Sequence, residues 1–412
     1  MTAIPAYSHR VLDNGLHVYV IEDRDTPMSV LNLVYNVGSR DENPEKTGFA
    51  HLFEHLMFGG SRHITSFDQP LQRVGGHSNA FTSPDVTNYY IQIPAVNLET
   101  AFWLESDRML SLSFDPKVLE VQRSVVMEEF KQRYLNQPYG DQWLRFRPLV
   151  YQQHPYRWAT IGKSLTHIEE ATMDDVRGFF AKFYHPANAT LVIGGPTPAE
   201  EVFALAEKWF GPIPTGPIYQ RQLPQEPEPT EKRTLRVEAE VPIPYLVKGY
   251  PMAARFTPEY HQADLLSDVL GRGNSARLYR RLVQENPLFG SISAFIMGSL
   301  DPGLLMIQGK LLPNVTFEEA EKAVDEVVAE LRSEVLAESE LEKVKNQAES
   351  TLIMGQIELL ARCTNLAYAA NAGHPTYPQE EADHVRAVTP EQMHARAQQV
   401  LQDHRSAVMY YG

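Results

Sequence analysis

The chain has 412 residues, of which 43% are hydrophobic and 22% are charged, a composition that excludes a disordered or fibrous protein. The length is ample for a large core and suggests two or three domains. The formal net charge of −15 argues against nucleic acid as a partner, because phosphate binding requires a basic stripe.

Hydrophobic periodicity predicts strands and helices in mixed order along the chain. The first half is predicted to contain strands at 16–21, 30–37 and 88–93 and helices at 48–58, 98–112 and 116–135. The second half is predicted to contain a helix at 260–270 and a long, mostly helical stretch at 338–370. This order is not a regular βαβ repeat, so we predict the α+β class.

A proline-rich segment divides the chain almost in half. Residues 211–230 contain six prolines, which prevent a helix and favour an extended, semi-rigid linker. We therefore predict an N-terminal domain over 1–210, which carries the histidine motif described below, and a C-terminal domain over 231–412, which lacks it.

The ends of the two halves resemble each other. Residues 167–195 and 384–412 align without a gap at an offset of 217 residues. Each copy has a capping-box pattern, Thr172 with Asp175 and Thr389 with Gln392, then an amphipathic helix and an apolar strand ending in glycine. Chance similarity is the alternative. We predict duplicated α+β domains, each a largely antiparallel sheet with helices on one face.

The segment GFAHLFEH, residues 48–55, carries the pattern most indicative of chemistry. Residues four apart lie on one face of a helix, so His51 and His55 can present two imidazoles to one metal. Glu54 lies beside them and could take a proton from a zinc-bound water, whose pKa falls to about 7. H-x-x-E-H is the reversed zincin pattern. Structural histidines on the helix surface or in the core are the alternative.

A catalytic zinc site usually has a third protein ligand on another element. Glu128 and Glu129, in the segment VVMEEF, are the obvious candidates because they lie on a predicted helix with an apolar face. Their side chains point about 100° apart, so at most one can be the ligand. Spacing alone does not choose between them.

Three segments of the chain resemble one family of zinc peptidases. GFAHLFEHLMFGGS, GGHSNAFTSPDVTNYY and QRSVVMEEF are similar to the pitrilysin, insulinase and mitochondrial processing peptidase family, whose members are inverzincins. The resemblance covers the whole chain, including the duplicated halves and the linker. It is greatest to bacterial members of this length, which pair two separate chains.

The resemblance implies a set of metal-site residues. It implies one zinc ion per chain, held by His51, His55 and Glu129, with Glu54 as the general base. The family also has a glutamate seven residues before the third ligand. This chain has Gln122 there, an amide that can hydrogen-bond but carries no charge.

The resemblance also implies where a substrate binds. Asn79, Ala80 and Phe81 correspond to an edge strand with which a peptide pairs by β-augmentation. A purely structural role for Asn79 is the alternative.

The second half departs from the family pattern. The family motif L-R-x-x-x-x-L-x-Y supplies an Arg and a Tyr that help to bind substrate and stabilise the oxyanion, but this chain has Val283 and Gly290 there. The resemblance therefore implies a homologous partner subunit that brings the Arg and Tyr in a heterodimer. A homodimer is the alternative, as is replacement of the missing groups by one of three nearby arginines, Arg277, Arg280 and Arg281.

The sequence thus predicts a zinc metalloendopeptidase subunit, a hydrolase that cleaves unstructured peptides. A non-catalytic structural or peptide-binding subunit of a related peptidase complex is the alternative. No apolar run approaches the ~18 residues that span a bilayer, so no membrane partner is expected. The single cysteine, Cys363, and the polar first ten residues favour a cytoplasmic location, or a periplasmic one if a signal has been removed.

Overall fold

The computed structural model describes residues 7–412 and confirms the α+β class. The chain forms two compact units, each with its own sheet. Unit 1 consists of the described residues up to Gln132 together with Trp158–Pro224 and Gly355–Gln379. Unit 2 consists of Arg133–Arg157, Gln225–Met354 and Glu380–Gly412.

The strands of the two units form two mixed sheets. The six strands of unit 1 are β1 (Ser8–Val11), β2 (His17–Glu22), β3 (Met28–Tyr35), β4 (His77–Thr82), β5 (Thr87–Pro94) and β6 (Ala189–Gly195). The five strands of unit 2 are β7 (Arg233–Val237), β8 (Tyr245–Pro251), β9 (Phe289–Met297), β10 (Leu304–Leu311) and β11 (Ala407–Tyr411).

The two sheets have the same topology. Their strand orders are β1-β2-β6-β3-β5-β4 and β7-β11-β8-β10-β9. In each sheet the last strand lies parallel to the first strand of the repeat, β6 beside β2 and β11 beside β7. The remaining pairings of the described strands are antiparallel. Apart from the additional strand β1, the two orders are identical, which supports the predicted duplication.

Helices fill the connections between the strands. In chain order they are α1 (Phe49–Leu56), α2 (Asp68–Arg73), α3 (Leu98–Leu110), α4 (Pro116–Phe130), α5 (Gln142–Val150), α6 (Leu165–Glu169), α7 (Met173–Phe183), α8 (Ala199–Phe210), α9 (Pro258–Gly271), α10 (Arg277–Tyr279), α11 (Phe317–Ser333), α12 (Glu338–Gly355), α13 (Leu359–Asn371), α14 (Tyr377–Ala387) and α15 (Pro390–Val400). Two of them continue as π-helical turns, α4 over Lys131–Leu135 and α10 over Arg280–Glu285. Within residues 7–412, no helix combines the length and the apolar character that crossing a membrane requires.

The repeated segments form equivalent elements. The N-cap residues Thr172 of α7 and Thr389 of α15 both form the predicted capping boxes, with Asp175 and Gln392. Strands β6 and β11 follow these helices, as predicted. The shared pattern therefore produces the same helix–strand unit in both halves.

Two helices are exchanged between the halves of the chain. Helix α5 comes from the first half but belongs to unit 2, where Phe146 is buried in the core cluster that contains Val247 and Met409. Helix α13 comes from the second half but belongs to unit 1, where it packs on β3 and β6. A Cβ atom on Gly194 of β6 would lie 2.5 Å from Cys363 Sγ of α13, so this close approach requires glycine.

The predicted domains, 1–210 and 231–412, each take one continuous half of the chain, so they do not include the exchange of α5 and α13 between the units. The predicted mostly helical stretch at 338–370 is confirmed, but it consists of two helices, because α12 ends at Gly355 and α13 begins at Leu359 in the other unit. An amphipathic pattern shows that a helix has an apolar face, but it does not show which sheet covers that face.

The proline-rich segment has no helix or strand between α8 and β7 in the described chain. Within unit 1, Tyr219 Oη and Arg221 Nε hydrogen-bond to Asp41 Oδ1 at 3.0 and 2.7 Å. Within unit 2, the Glu226 carboxylate accepts from the backbone N–H groups of residues 152–154 at 2.7–2.9 Å. Each end of the segment is therefore fixed to its own unit.

Candidate metal centre

Helix α1 separates an apolar face from a polar one. Phe49, Leu52, Phe53 and Leu56 are buried. The Phe53 ring lies 4.5 Å from that of Tyr184, centroid to centroid, so the apolar face is held in an aromatic cluster of unit 1. The three-to-four-residue spacing of His51, Glu54 and His55 places all three on the opposite, partly exposed side.

Helix α4 packs beside α1 and brings a carboxylate to the two imidazoles. Glu129 Oε2 lies 3.6 Å from His51 Nε2 and 3.4 Å from His55 Nε2. The side chains of Glu129, His51 and His55 are 18%, 13% and 25% exposed, so the cluster is enclosed but still reachable from one side. Within residues 7–412, this is the single group of three His, Cys, Asp or Glu residues close enough to share a metal ion.

The donor set and its spacing fit zinc. Zinc binds imidazole nitrogen and carboxylate oxygen at about 2.0–2.2 Å in tetrahedral geometry, which places neighbouring donors about 3.3–3.6 Å apart. The two N···O separations of 3.6 and 3.4 Å match that spacing. Three protein donors also leave the fourth position that catalytic zinc sites keep open.

The neighbouring glutamates occupy different environments. Glu128, the other candidate ligand, is exposed and pairs with Lys131 Nζ at 2.6 Å. Glu54 accepts a hydrogen bond at 2.6 Å from the hydroxyl of Thr82, the last residue of β4. The carboxylate beside the imidazoles is therefore tied to the end of this strand.

Strand β4 lies at the edge of the sheet of unit 1, where among the described strands it pairs with β5 alone. Asn79 and Phe81 are exposed, and Ala80 between them is partly exposed. The Ala80 N–H donates to Asn79 Oδ1 at 2.8 Å. The backbone around Ala80 therefore lies at an accessible sheet edge.

Gln122 lies on α4, two turns before Glu129 and on the same side of the helix, and it is partly buried. The amide therefore lies on the face of α4 that carries the Glu129 carboxylate.

Val283 and Gly290 stand in unit 2 at the positions where the family motif has an Arg and a Tyr. Val283 lies in the π-helical turn, partly buried against the core of unit 2, and Gly290 lies in β9. Three nearby arginines pair with glutamates, Arg277 with Glu340, Arg280 with Glu285 and Arg281 with Glu330, at 2.8, 3.3 and 3.0 Å.

Two contacts of the site have no clear sequence signature. Thr82 lies in the segment that was predicted to bind peptide, but nothing in its spacing indicates a hydrogen bond to Glu54. Glu42 lies seven residues before Phe49, the first residue of α1, and its carboxylate accepts backbone N–H bonds from Gly48 and Ala50. Both contacts join segments that are distant along the chain or separated by a loop.

Both halves of the chain match models of one peptidase family. Residues 17–141 match the family model described as Insulinase (Peptidase family M16), and residues 170–348 match that described as Peptidase M16 inactive domain. A Helicobacter pylori protein named zinc protease PqqE is 30% identical over 350 residues, which cover 83% of this chain and 78% of that protein. The chain therefore belongs to the insulinase family of peptidases, peptidase family M16.

Solved structures show the same fold. The crystal structure of a protease from Helicobacter pylori matches with a TM-score of 0.91 and 26% identity, over 99% of this chain and 100% of that one. The periplasmic protease PqqL from Escherichia coli matches with a TM-score of 0.84 and 19% identity, over 100% of this chain and 48% of that one. This chain therefore has the fold of about half of the PqqL chain.

Proposed function

We propose that the chain is a zinc-dependent endopeptidase subunit that cleaves unstructured peptides. The observation that carries the proposal is the convergence of His51, His55 and Glu129, with donor atoms 3.4–3.6 Å apart, beside a carboxylate on the same short helix. His51, His55 and Glu129 would hold the zinc ion, and Glu54 would act as the general base.

The chemistry divides between the metal and the chain. Bound zinc would polarise the scissile carbonyl and lower the pKa of water to about 7. Glu54 takes a proton from the attacking water and passes it to the leaving amine. The Thr82 hydroxyl orients the Glu54 carboxylate by its hydrogen bond. We propose Gln122, on the same face of α4 as Glu129, as an uncharged supporting residue of the site.

The substrate would bind as an added strand. A peptide that pairs with β4 along Asn79, Ala80 and Phe81 uses backbone hydrogen bonds, which any extended sequence can supply. Thr82 ends the same strand and donates to Glu54, so the edge strand leads to the general base. A folded substrate could not offer an extended backbone, which is why we propose unstructured peptides.

The proposal is tested by metal content and cleavage measured on the same sample. We expect the purified chain to bind one zinc ion and to require zinc for cleavage of an unstructured peptide library, alone or with its partner. Zinc binding without cleavage under both conditions would favour the alternative, a non-catalytic peptide-binding subunit. Absence of zinc binding would contradict the proposed metal centre.

We further propose that a homologous subunit completes the site as a heterodimer. Val283 and Gly290 stand where an Arg and a Tyr are expected, and Arg277, Arg280 and Arg281 pair with glutamates of their own unit. Loss of one oxyanion donor typically costs about 10²–10³ in rate. We expect weak cleavage by the chain alone and a gain of that size with the partner. Full activity of the chain alone, lost when its own arginines are replaced, would support the homodimer.

We propose a cytoplasmic location. The single cysteine, Cys363, is a buried free thiol that has no partner cysteine in the chain, and free thiols are typical of proteins in a reducing compartment. Fractionation of cells with an antibody to the chain tests this. Recovery in the periplasmic fraction would instead match the location stated for PqqL of Escherichia coli.

A further inference from the structure

Helix α1 has an N-cap position that cannot hold a side chain that would cap the helix. Its N-cap residue is Gly48, with a φ of 88° in the left-handed region. A Cβ atom at this position would lie 2.6 Å from the carbonyl oxygen of Ile161 and 2.7 Å from Ile168 Cδ1. Glycine is therefore required by both conformation and space. A glycine has no side chain with which to accept the N–H groups at the start of a helix.

The missing acceptor comes from Glu42. Its Oε2 accepts the N–H of Gly48 at 2.9 Å, and its Oε1 accepts the N–H of Ala50 at 2.8 Å. The first turn of α1 contains no acidic residue of its own. A carboxylate at this position also lies at the positive end of the helix dipole. Glu42 thus supplies the hydrogen-bond acceptors that α1 lacks at its first turn.

The carboxyl group of Glu42 is buried, and its neighbours shift its pKa. Burial raises the pKa of Glu42, hydrogen bonds from Ala50, Gly48 and Trp158 lower it, and the charge of Asp41 raises it, with a net pKa of about 8. Asp41 itself accepts from Tyr219, Arg221 and the Gly38 N–H. The Arg221 guanidinium therefore offsets the negative charge next to Glu42 in the chain.

The position of the cap matters because α1 is short. A helix of eight residues is not stable alone, so its ends must be held by the surrounding structure. Ala50, which Glu42 holds, directly precedes His51. If the first turn frays, the His51 imidazole moves, whereas the apolar face of Phe53 and Leu56 continues to anchor the rest of the helix.

We propose that Glu42 is a positioning residue for the metal centre, which sets the place of His51 by capping α1 from outside the helix. The proposal rests on the proposed zinc site, but it concerns metal affinity and helix order, which do not require peptide cleavage.

The test compares Glu42→Gln with a matched control, Glu105→Gln. Glu105 is a buried carboxylate of the same unit that pairs with Arg108 at 2.6 Å and does not cap α1. The zinc dissociation constant is measured by chelator competition, and the free energy of unfolding by denaturant. We expect Glu42→Gln to raise the zinc dissociation constant about 10–100-fold, the range for residues that support ligands. We expect Glu105→Gln to lower stability, because it leaves the buried Arg108 charge without its partner, and to change the zinc dissociation constant by less than about threefold.

Three further readouts keep the inference open to refutation. In the zinc-free wild type, hydrogen exchange should show that the Gly48 and Ala50 amides are protected. Fast exchange of these two amides would refute the capping of α1 by Glu42, and this measurement does not require Glu42→Gln to fold. Glu42→Asp should recover part of the affinity, because a shorter carboxylate can still accept one N–H. Where the chain cleaves peptide, Glu42→Gln should lower kcat with little change in KM, because β4 is untouched. Equal zinc affinity in Glu42→Gln and wild type would also overturn the inference.

Failure of this inference is distinguishable from failure of the proposed function. A wild-type chain that binds zinc but never cleaves peptide contradicts the peptidase proposal and leaves the affinity comparison valid. A wild-type chain that binds no zinc contradicts the metal centre, and the exchange of the Gly48 and Ala50 amides still decides whether Glu42 caps α1.

Discussion

Helices α1 and α9 occupy the same place in the two repeats, since α1 follows β3 and precedes β4 while α9 follows β8 and precedes β9. Helix α1 has eight residues and presents His51 and His55, four apart, on a partly exposed face. Helix α9 has fourteen residues and carries Asp264 and Asp268 at the same four-residue spacing. One topology therefore supports a pair of imidazoles that we propose to bind zinc in unit 1 and a pair of carboxylates in unit 2.

The carboxylates of α9 lie in a packed environment. Asp268 pairs with Arg272 at 2.9 Å, and burial together with the charge of Asp268 raises the pKa of Asp264 to about 7. Among the described residues, no third metal ligand joins this pair. The comparison teaches that the sheet topology positions a helix, while the side chains on that helix and its surroundings decide its chemistry.

The largest effect should come from Glu54, the proposed general base on α1. We expect Glu54→Gln to keep zinc bound, because Glu54 is not a proposed ligand, and to lower peptide cleavage about 10²–10⁴-fold. The matched control on α9 is Glu259→Gln, which should leave the rate unchanged. Near-wild-type cleavage by metal-loaded Glu54→Gln would refute the proposed mechanism.

The second prediction concerns Glu129, the proposed third zinc ligand beside His51 and His55. We expect Glu129→Ala to raise the zinc dissociation constant by at least about 100-fold, more than is usual for a residue that only supports a ligand. Glu128→Ala is the control, because Glu128 is exposed and pairs with Lys131. Chelator competition measures both variants, and the reverse ranking would show that the third ligand has been assigned one residue too late.

The third prediction tests the exchanged helices. Leu366 of α13 is buried in unit 1, and Phe146 of α5 is buried in unit 2. Each change to alanine should cost about 2–5 kcal/mol through loss of apolar contact and a cavity. Native-state hydrogen exchange should show Leu366→Ala loosening β3 and β6, and Phe146→Ala loosening β8 and β11. If each variant instead loosened the sheet of its own half of the chain, the exchange would be wrong.

The smallest effect concerns the acidic pair of α9. Asp264 is faced by Asp268, Glu381, Arg255 and Arg272, and its pKa is about 7 against an ordinary 3.8. The native state therefore retains a proton that the unfolded chain has lost, and its stability falls as pH rises from about 4 through about 7. We expect Asp264→Asn to flatten this dependence and to be more stable than wild type at pH 8 by about 1–3 kcal/mol.

Denaturant titrations at pH 5 and pH 8 measure this difference. The control is Asp383→Asn, whose carboxylate is exposed. An Asp264→Asn variant that is less stable than wild type at pH 8 would show that Arg255 and Arg272 hold Asp264 in its charged form.

Much of the molecule could be predicted because local patterns determine local structure. Thr172 and Thr389 form the predicted capping boxes because the hydrogen bonds involve residues only three apart. His51, Glu54 and His55 share a helix face for the same reason, since the helical repeat alone brings them together. The ungapped repeat also indicated the duplication that the two identical strand orders support.

The remaining features depend on contacts between distant segments. The sequence left Glu128 and Glu129 as equal candidates from spacing, and the packing of α4 beside α1 brings Glu129 to the imidazoles. It predicted a helical stretch over 338–370 and no helix over the residues of α5, and only tertiary packing assigned α13 and α5 each to the unit formed mainly by the other half of the chain. It also gave no sign that Glu42 caps α1. The close approach of Ile161 and Ile168 excludes any side chain at the N-cap residue Gly48, so the acceptor comes from Glu42, which lies outside the helix.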